Sequence, residues 1–187
     1  MPHALSVVVP LKDEEDGLAA LFVALDALQR DVADRLTLHF VVVDDGSSDR
    51  TWPLLQSYAA ARPAVTLCRH EHNRGIAAAI QTGVRAATTD LVASIDGDLS
   101  YDVRELPAMV DRLGDADLVT ASPYHPDGGV AGVPPWRLSL SRGLSRLYRL
   151  LLRSPIHTWT SCFRVYRRQR IVTCRSPTSA SSAPPNC

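Results

Sequence analysis

The sequence predicts an α/β fold, a mostly parallel sheet flanked by helices, and two observations carry that prediction. Short β-branched runs alternate with helix-length amphipathic segments over residues 5–95, the pattern of parallel strands joined by right-handed crossovers. Three of those runs end on small polar and acidic clusters, at residues 10–14, 44–49 and 96–98. In sheets of this kind ligands sit beyond the carboxyl ends of the strands.

Each element follows from local pattern. Leu5-Ser6-Val7-Val8-Val9-Pro10 reads as a buried strand closed by proline. Over residues 13–30, Leu18, Leu21, Phe22, Leu25 and Leu28 recur at helical spacing, and the acidic start at Asp13 to Asp16 suits the positive end of a helix dipole. Residues 38–43 form a second strand, and residues 44–49 a polar turn rich in N-cap residues. A helix over about 50–61 stops before Pro63; residues 64–69 are a third strand, 73–87 an alanine-rich helix and 90–95 a fourth strand. Residues 102–113 read as helix and 117–121 as strand, followed by a Gly/Pro-rich loop at 123–135. Over 136–153, Leu140, Leu144, Leu147 and Leu151 repeat at i, i+4, i+7 and i+11. Arg142, Arg146, Arg149 and Arg153 follow the same spacing two residues later, which makes a basic amphipathic helix. From about Val172 no apolar period survives, and 172–187 reads as a disordered tail.

Composition bounds the function. At 187 residues and 45% hydrophobic, the chain has the length for one domain and is too apolar to be disordered throughout. Net charge is zero, and no nucleic-acid partner is expected. The charge is nevertheless asymmetric: all 20 acidic residues lie at or before Asp127, and ten arginines lie beyond it. Cys68, Cys162, Cys174 and Cys187 show no paired metal-ligand spacing and are read as free thiols. Met1-Pro2-His3-Ala4 leads directly into a strand, and no apolar stretch approaches the ~20 residues a bilayer span needs. The expectation is a cytoplasmic chain, with peripheral contact at the inner face of the membrane left open.

The chemistry lies at the acidic strand ends. Asp96-Gly97-Asp98 places two carboxylates on a tight turn, where hard oxygen ligands hold Mg²⁺ or Mn²⁺ and Gly97 lets the backbone approach a diphosphate. Asp-Gly-Asp is also ordinary turn chemistry; its position after a buried strand, beside two other acidic loops, is what favours metal. Asp44 and Asp45 serve either as a cap and turn or as acceptors for a base N–H or ribose hydroxyl. Asn73-Arg74-Gly75 precedes a helix, whose amides favour anions, or is a plain cap with a glycine turn.

These motifs resemble family 2 glycosyltransferases with a GT-A (Rossmann-like) fold, specifically polyprenyl-phosphate and dolichyl-phosphate mannose synthases, over roughly residues 5–168. Val8-Val9-Pro10-Leu11-Lys12-Asp13-Glu14-Glu15 is similar to the opening V-V-P-x-Y-N-E-E. Val43-Asp44-Asp45-Gly46-Ser47-Ser48-Asp49-Arg50-Thr51 matches V-D-D-G-S-x-D-x-T almost residue for residue. His72-Asn73-Arg74-Gly75 with Ala79 and Gly83, Asp96-Gly97-Asp98-Leu99-Ser100, residues 137–143 and residues 160–166 resemble four further segments. The resemblance implies a metal-dependent, inverting transfer of a sugar from a GDP- or UDP-linked donor to a polyprenyl phosphate at a membrane surface, in cell-envelope glycan synthesis. It assigns Pro10, Lys12, Glu14, Asp44, Asp45, Asn73, Arg74, Gly75, Asp96 and Gly97 to the donor, Asp96 and Asp98 to the metal, and Arg137, Ser141 and Arg164 to the acceptor phosphate. Asp98 and Arg137 are the catalytic candidates. An acceptor phosphate is already ionised and needs no general base, and the basic helix would lie on anionic headgroups or present a solvated face.

Residues 1–171 are accordingly read as one GT-A domain, with a nucleotide-sugar half (1–100) and an acceptor half (101–171). Departures from the family pattern are Lys12 and Asp13 for an aromatic and asparagine, Ser100 for glutamine, Pro123 for arginine, Cys162 for glycine and Thr158 near a frequent aspartate. The pattern dissolves near Gln169 as truncation or a shifted reading frame would make it. The rival functions are a hydroxyl-acceptor transferase, which wants a carboxylate base where none follows Asp127, and a nucleotide-binding remnant without activity. An Asp-nucleophile phosphohydrolase fits poorly, because its downstream lysine is missing: Lys12 is the only lysine.

Overall fold

A computed structural model describes residues 2–122, 143 and 161–172. Five helices and six strands occur among them, together with a short 3-10 helix at Val103–Glu105. The strands are β1 (His3–Leu11), β2 (Leu36–Asp44), β3 (Val65–Arg69), β4 (Leu91–Ser94), β5 (Leu118–Thr120) and β6 (Arg164–Arg167). The helices are α1 (Leu18–Asp31), α2 (Thr51–Ala59), α3 (Ile76–Ala86), α4 (Leu106–Leu113) and α5 (Arg168–Val172). They form one sheet of order β3-β2-β1-β4-β6-β5, parallel through its first four strands and antiparallel where β6 pairs with β4 and β5. The sheet is therefore mixed, and its parallel part is the one predicted from residues 5–95.

Alternating side chains of β1 divide the core. Leu5, Val7, Val9 and Leu11 pack with Leu18, Leu21, Leu25 and Leu28 of α1 and with Leu106, Met109 and Leu113 of α4. Val8 faces the other way, with Val41, Val43 and Val92, onto Ala79 and Val84 of α3. Burial on both faces explains why these strands read as continuous apolar runs rather than alternating ones.

Two helix starts differ from expectation. The first helix begins at Leu18, so Asp13 to Asp16 lie before it and its first turn carries no acid. Asp13 adopts φ +52°, which breaks helical continuation, and spends its amide on Ser47 Oγ at 2.9 Å. The third helix begins at Ile76 because Gly75 turns the chain at φ +87°. Neither β6 nor α5 was foreseen, and α5 runs to Val172, the first residue assigned to the tail.

Four of the arginines beyond Asp127 are described, on β6 and α5. Arg167 Nε donates to Ala116 O at 3.2 Å, and Arg168 donates from Nε and Nη2 to Val84 O and Arg85 O, both at 3.1 Å. Arg168 thus supplies the last carbonyls of α3 with the donors they lack. Of the two described cysteines, Cys162 is a free thiol while Cys68 is disulfide-bonded, against the expectation of free thiols throughout; sequence spacing does not report which sulfurs meet in space. Of the basic helix only Gly143 is described, and it is helical; the rest of that segment, the Gly/Pro-rich loop and residues 173–187 lie outside the described residues. Among those described, no helix is long and apolar enough to cross a membrane.

Candidate active site

Strand order brings the three acidic loops together, since β1 lies between β2 and β4 and all three run in parallel. The chain leaves β1 toward β2 and β3 and returns on the other side of β1 as β4, which makes the β1/β4 edge a topological switch point. A cleft of about 350 Å³ opens there, lined by Pro10, Leu11, Lys12, Glu14, Asp45, Asn73, Gly75, Ile76, Ala79, Asp96, Gly97 and Asp98. Nine of the candidates proposed from sequence share this lining. Asp44 and Arg74 are outside it.

Hydrogen bonds clamp the first loop to the second. The amides of Asp13, Glu14 and Glu15 donate to Ser47 Oγ, Thr51 Oγ1 and Asp49 Oδ2 at 2.9, 2.9 and 3.1 Å. In return the Arg50 amide donates to Glu15 Oε2 at 2.9 Å. A Cβ on Gly46 (φ +70°) would stand 2.5 Å from the His72 carbonyl carbon, so glycine is what lets the second and third loops touch.

Neither carboxylate of the Asp44-Asp45 pair is open to solvent. Asp44, fully buried, accepts the Ser47 amide at 3.1 Å and stands 3.0 Å from Arg69 Nε. Asp45 is 4% exposed and accepts from the amides of Arg74 and Gly75 at 2.9 and 2.8 Å and from the ring of His70 at 2.6 Å. Burial raises its pKa, but those amides and the ring outweigh burial and hold it below the ordinary value. The Arg74 and Gly75 amides, expected to face an incoming anion, are thus taken by the chain's own carboxylate.

At the far wall, Asp96 is half-buried and Asp98 exposed. Burial pushes the Asp96 carboxyl up; a hydrogen bond from Cys162 and the charge of Arg164 ease it, and the negative charge of Asp98 adds to the rise. The Cys162 thiol itself is pushed up to about 12 by burial and by Asp96. Two adjacent carboxylates, one of them desolvated, are a donor pair that a hard divalent cation would relieve. Among the described residues no group of three or more His, Cys, Asp or Glu side chains gathers as a metal cage. This small set suits Mg²⁺ or Mn²⁺, which keep water and phosphate oxygens, better than an all-protein site. The backbone of Ser100 donates to Asp98 Oδ1 at 2.9 Å, so its place in the turn is structural. Leu99, between them, takes φ +55°.

Arg164 starts β6 opposite Ser94 and so stands at the same edge as Asp96. Arg137 and Ser141 lie outside the described residues. His70 and Thr82, joined to Asp45, had drawn no attention from the sequence: an isolated histidine after a strand has no periodic signal.

Residues 6–171 match the profile of the family described as glycosyl transferase family 2. The chain is 31% identical over 150 residues to a dolichol-phosphate mannosyltransferase of Pyrococcus furiosus, covering 79% of this chain and 41% of that protein. It is 36% identical over 138 residues to a polyprenol monophosphomannose synthase of Mycolicibacterium smegmatis, covering 71% of this chain and 52% of that one. It therefore spans about half the length of the curated relatives it matches. A mannosyltransferase from Pyrobaculum calidifontis, solved with GDP-Man and Mn²⁺, superposes with TM-score 0.63 at 23% identity, covering 90% of this chain and 46% of that one, which establishes the shared GT-A fold.

Proposed function

This chain belongs to glycosyl transferase family 2, and on that premise we propose that it transfers a sugar from a GDP- or UDP-linked donor to a polyprenyl phosphate, with inversion at the sugar carbon. The observation that carries this is the cleft at the β1/β4 edge, where Pro10, Lys12, Glu14, Asp45, Asn73, Gly75, Asp96, Gly97 and Asp98 share one lining. The names of the two relatives, both built on polyprenyl-type phosphates, support the acceptor.

In this reading the donor lies along the cleft with its diphosphate toward Asp96 and Asp98. These two residues would hold Mg²⁺ or Mn²⁺, whose chemistry there is to neutralise charge on the departing diphosphate. Lys12 and Glu14 line the opposite wall, while Asp44 and Arg74 act from behind the lining. An oxygen of the acceptor phosphate supplies the electron pair for the new bond to the sugar carbon, and the nucleoside diphosphate leaves with the old one. No proton has to be removed. Arg137, Ser141 and Arg164 hold the acceptor phosphate through charge-assisted contacts. Residues 1–100 then form the donor half of one domain and 101–171 its acceptor half, working at the inner membrane surface.

Calorimetry of GDP- and UDP-sugars with and without Mn²⁺ tests the donor side. Binding should need the metal and weaken at least tenfold in Asp98→Asn; metal-independent binding unchanged in that variant would sink the assignment. Incubation with a C55 polyprenyl phosphate tests the acceptor side. A folded, donor-binding chain that makes no sugar-lipid would mark it as a binding remnant.

A further inference from the structure

His70, immediately after β3, is 3% exposed and uses both ring nitrogens. Nδ1 lies 2.6 Å from Asp45 Oδ1 and Nε2 2.9 Å from Thr82 Oγ1 on α3, while its own amide donates to Asp44 O at 2.9 Å. A carboxylate only accepts, so Nδ1 carries the hydrogen toward Asp45, and Nε2 shares a hydrogen bond with the Thr82 hydroxyl. Asp45 in turn spans the amides of Arg74 and Gly75, the residues that turn the chain into α3. Asp45, Asn73 and Gly75 line the cleft; His70 does not.

We infer that His70 is a positioning residue for the cleft: its Nδ1–H fixes the rotamer of Asp45, and Asp45 fixes the wall at residues 73–75. Without that donor the carboxylate turns about its terminal torsion, and its two oxygens no longer meet both amides together. The relay spans β2, β3 and α3, three elements that backbone pairing alone does not hold at side-chain precision. The consequence for nucleotide affinity rests on the donor reading of the cleft; the mechanical claim does not.

Three variants separate this role from core filling. In His70→Asn the side-chain amide stands near the place of Nδ1–H and keeps a donor to Asp45. His70→Gln, closer to histidine in volume, reaches toward Thr82 and gives up Asp45, and His70→Ala gives up both. Amide hydrogen exchange at Arg74 and Gly75, read by NMR on the full chain, should stay near wild type in His70→Asn and accelerate about tenfold or more in His70→Gln and His70→Ala. Equal protection in Asn and Gln, or loss ranked by volume, overturns the inference. For the unmodified protein, ¹⁵N spectra of the imidazole should show a protonated Nδ1; a bare Nδ1 overturns it even where a variant does not fold. Mn²⁺-dependent GDP and UDP affinity should follow the exchange ranking. Wild type that binds no nucleotide would sink the donor reading and leave the exchange result to decide the role of His70.

Discussion

Asp13 and Ser48 lock the first loop to the second: Asp13 Oδ1 accepts the Ser48 amide at 2.7 Å and the Ser48 hydroxyl at 3.1 Å. The lock holds Asp13 at φ +52°, a conformation a short polar side chain tolerates by bonding locally. It also explains why a helix does not start there despite a run of acids that suits a helix N-terminus.

The lock should respond to acid. The Lys12 ammonium, and after it the Ser48 amide, hold the Asp13 carboxyl down at about 2, below its usual 3.8. A folded pKa below the unfolded one means stability that is present above the unfolded value and lost as pH falls toward the folded one. The difference in urea midpoint between wild type and Asp13→Asn should be present at pH 6 and vanish between pH 4 and 2. A difference that does not change with pH contradicts the ionised lock.

Glycine substitutions should separate two kinds of contact. Gly46→Ala forces a Cβ into the backbone of His72 and Asn73, at 2.5 and 2.7 Å, and at φ +70°. We expect a cost of about 1–3 kcal/mol from the backbone conformation alone, and a fall in Tm of at least about 2 °C. Gly97→Ala meets only the tip of Leu11, its Cδ2 at 2.2 Å, which a rotamer change relieves. Thermal unfolding should therefore rank Gly46→Ala as the more damaging, and the reverse order would refute this account of the loop contact.

Cys162 should be an unreactive thiol. With a pKa pushed up from 9.0 to about 12, it carries roughly a thousandfold less thiolate near pH 8 than an ordinary cysteine. Iodoacetamide labelling followed by peptide mass spectrometry should find the Cys162 peptide modified slowly in the native chain and rapidly in urea. Rapid native labelling would show that the thiol is not the donor to Asp96.

Ser94 ties β4 to β6. Its hydroxyl, fully buried on β4, bonds the Cys162 carbonyl and the Tyr166 hydroxyl on the neighbouring strand. Ser94→Ala leaves the Tyr166 hydroxyl buried without this partner and should cost about 1–3 kcal/mol in urea unfolding. An unaltered midpoint would argue against the bond.

The parallel strands, the helices between them and the acidic residues at three strand ends are legible in local pattern alone. Hydrophobic period is a local property, and 5–95 keeps it without interruption. Position within that pattern also located residues 10–14, 44–49 and 96–98 at one edge, while Asn73 and Gly75 entered the site through the family resemblance. How the polar groups are spent depends on contacts distant in sequence. Asp45 and His70 are 25 residues apart, and Asp13 and Ser48 are 35 apart; no local pattern says that such pairs meet. The antiparallel β6 is four residues long and draws its order from β4 and β5 rather than from a period of its own. Carboxylates that look alike in sequence therefore divide in the fold. Asp45 meets two amides and a ring, and Asp44 an amide and the Arg69 guanidinium, while Asp96 stays half-buried and Asp98 exposed on the cleft lining, because the first pair is enclosed between neighbouring loops and the second ends a strand at the open edge.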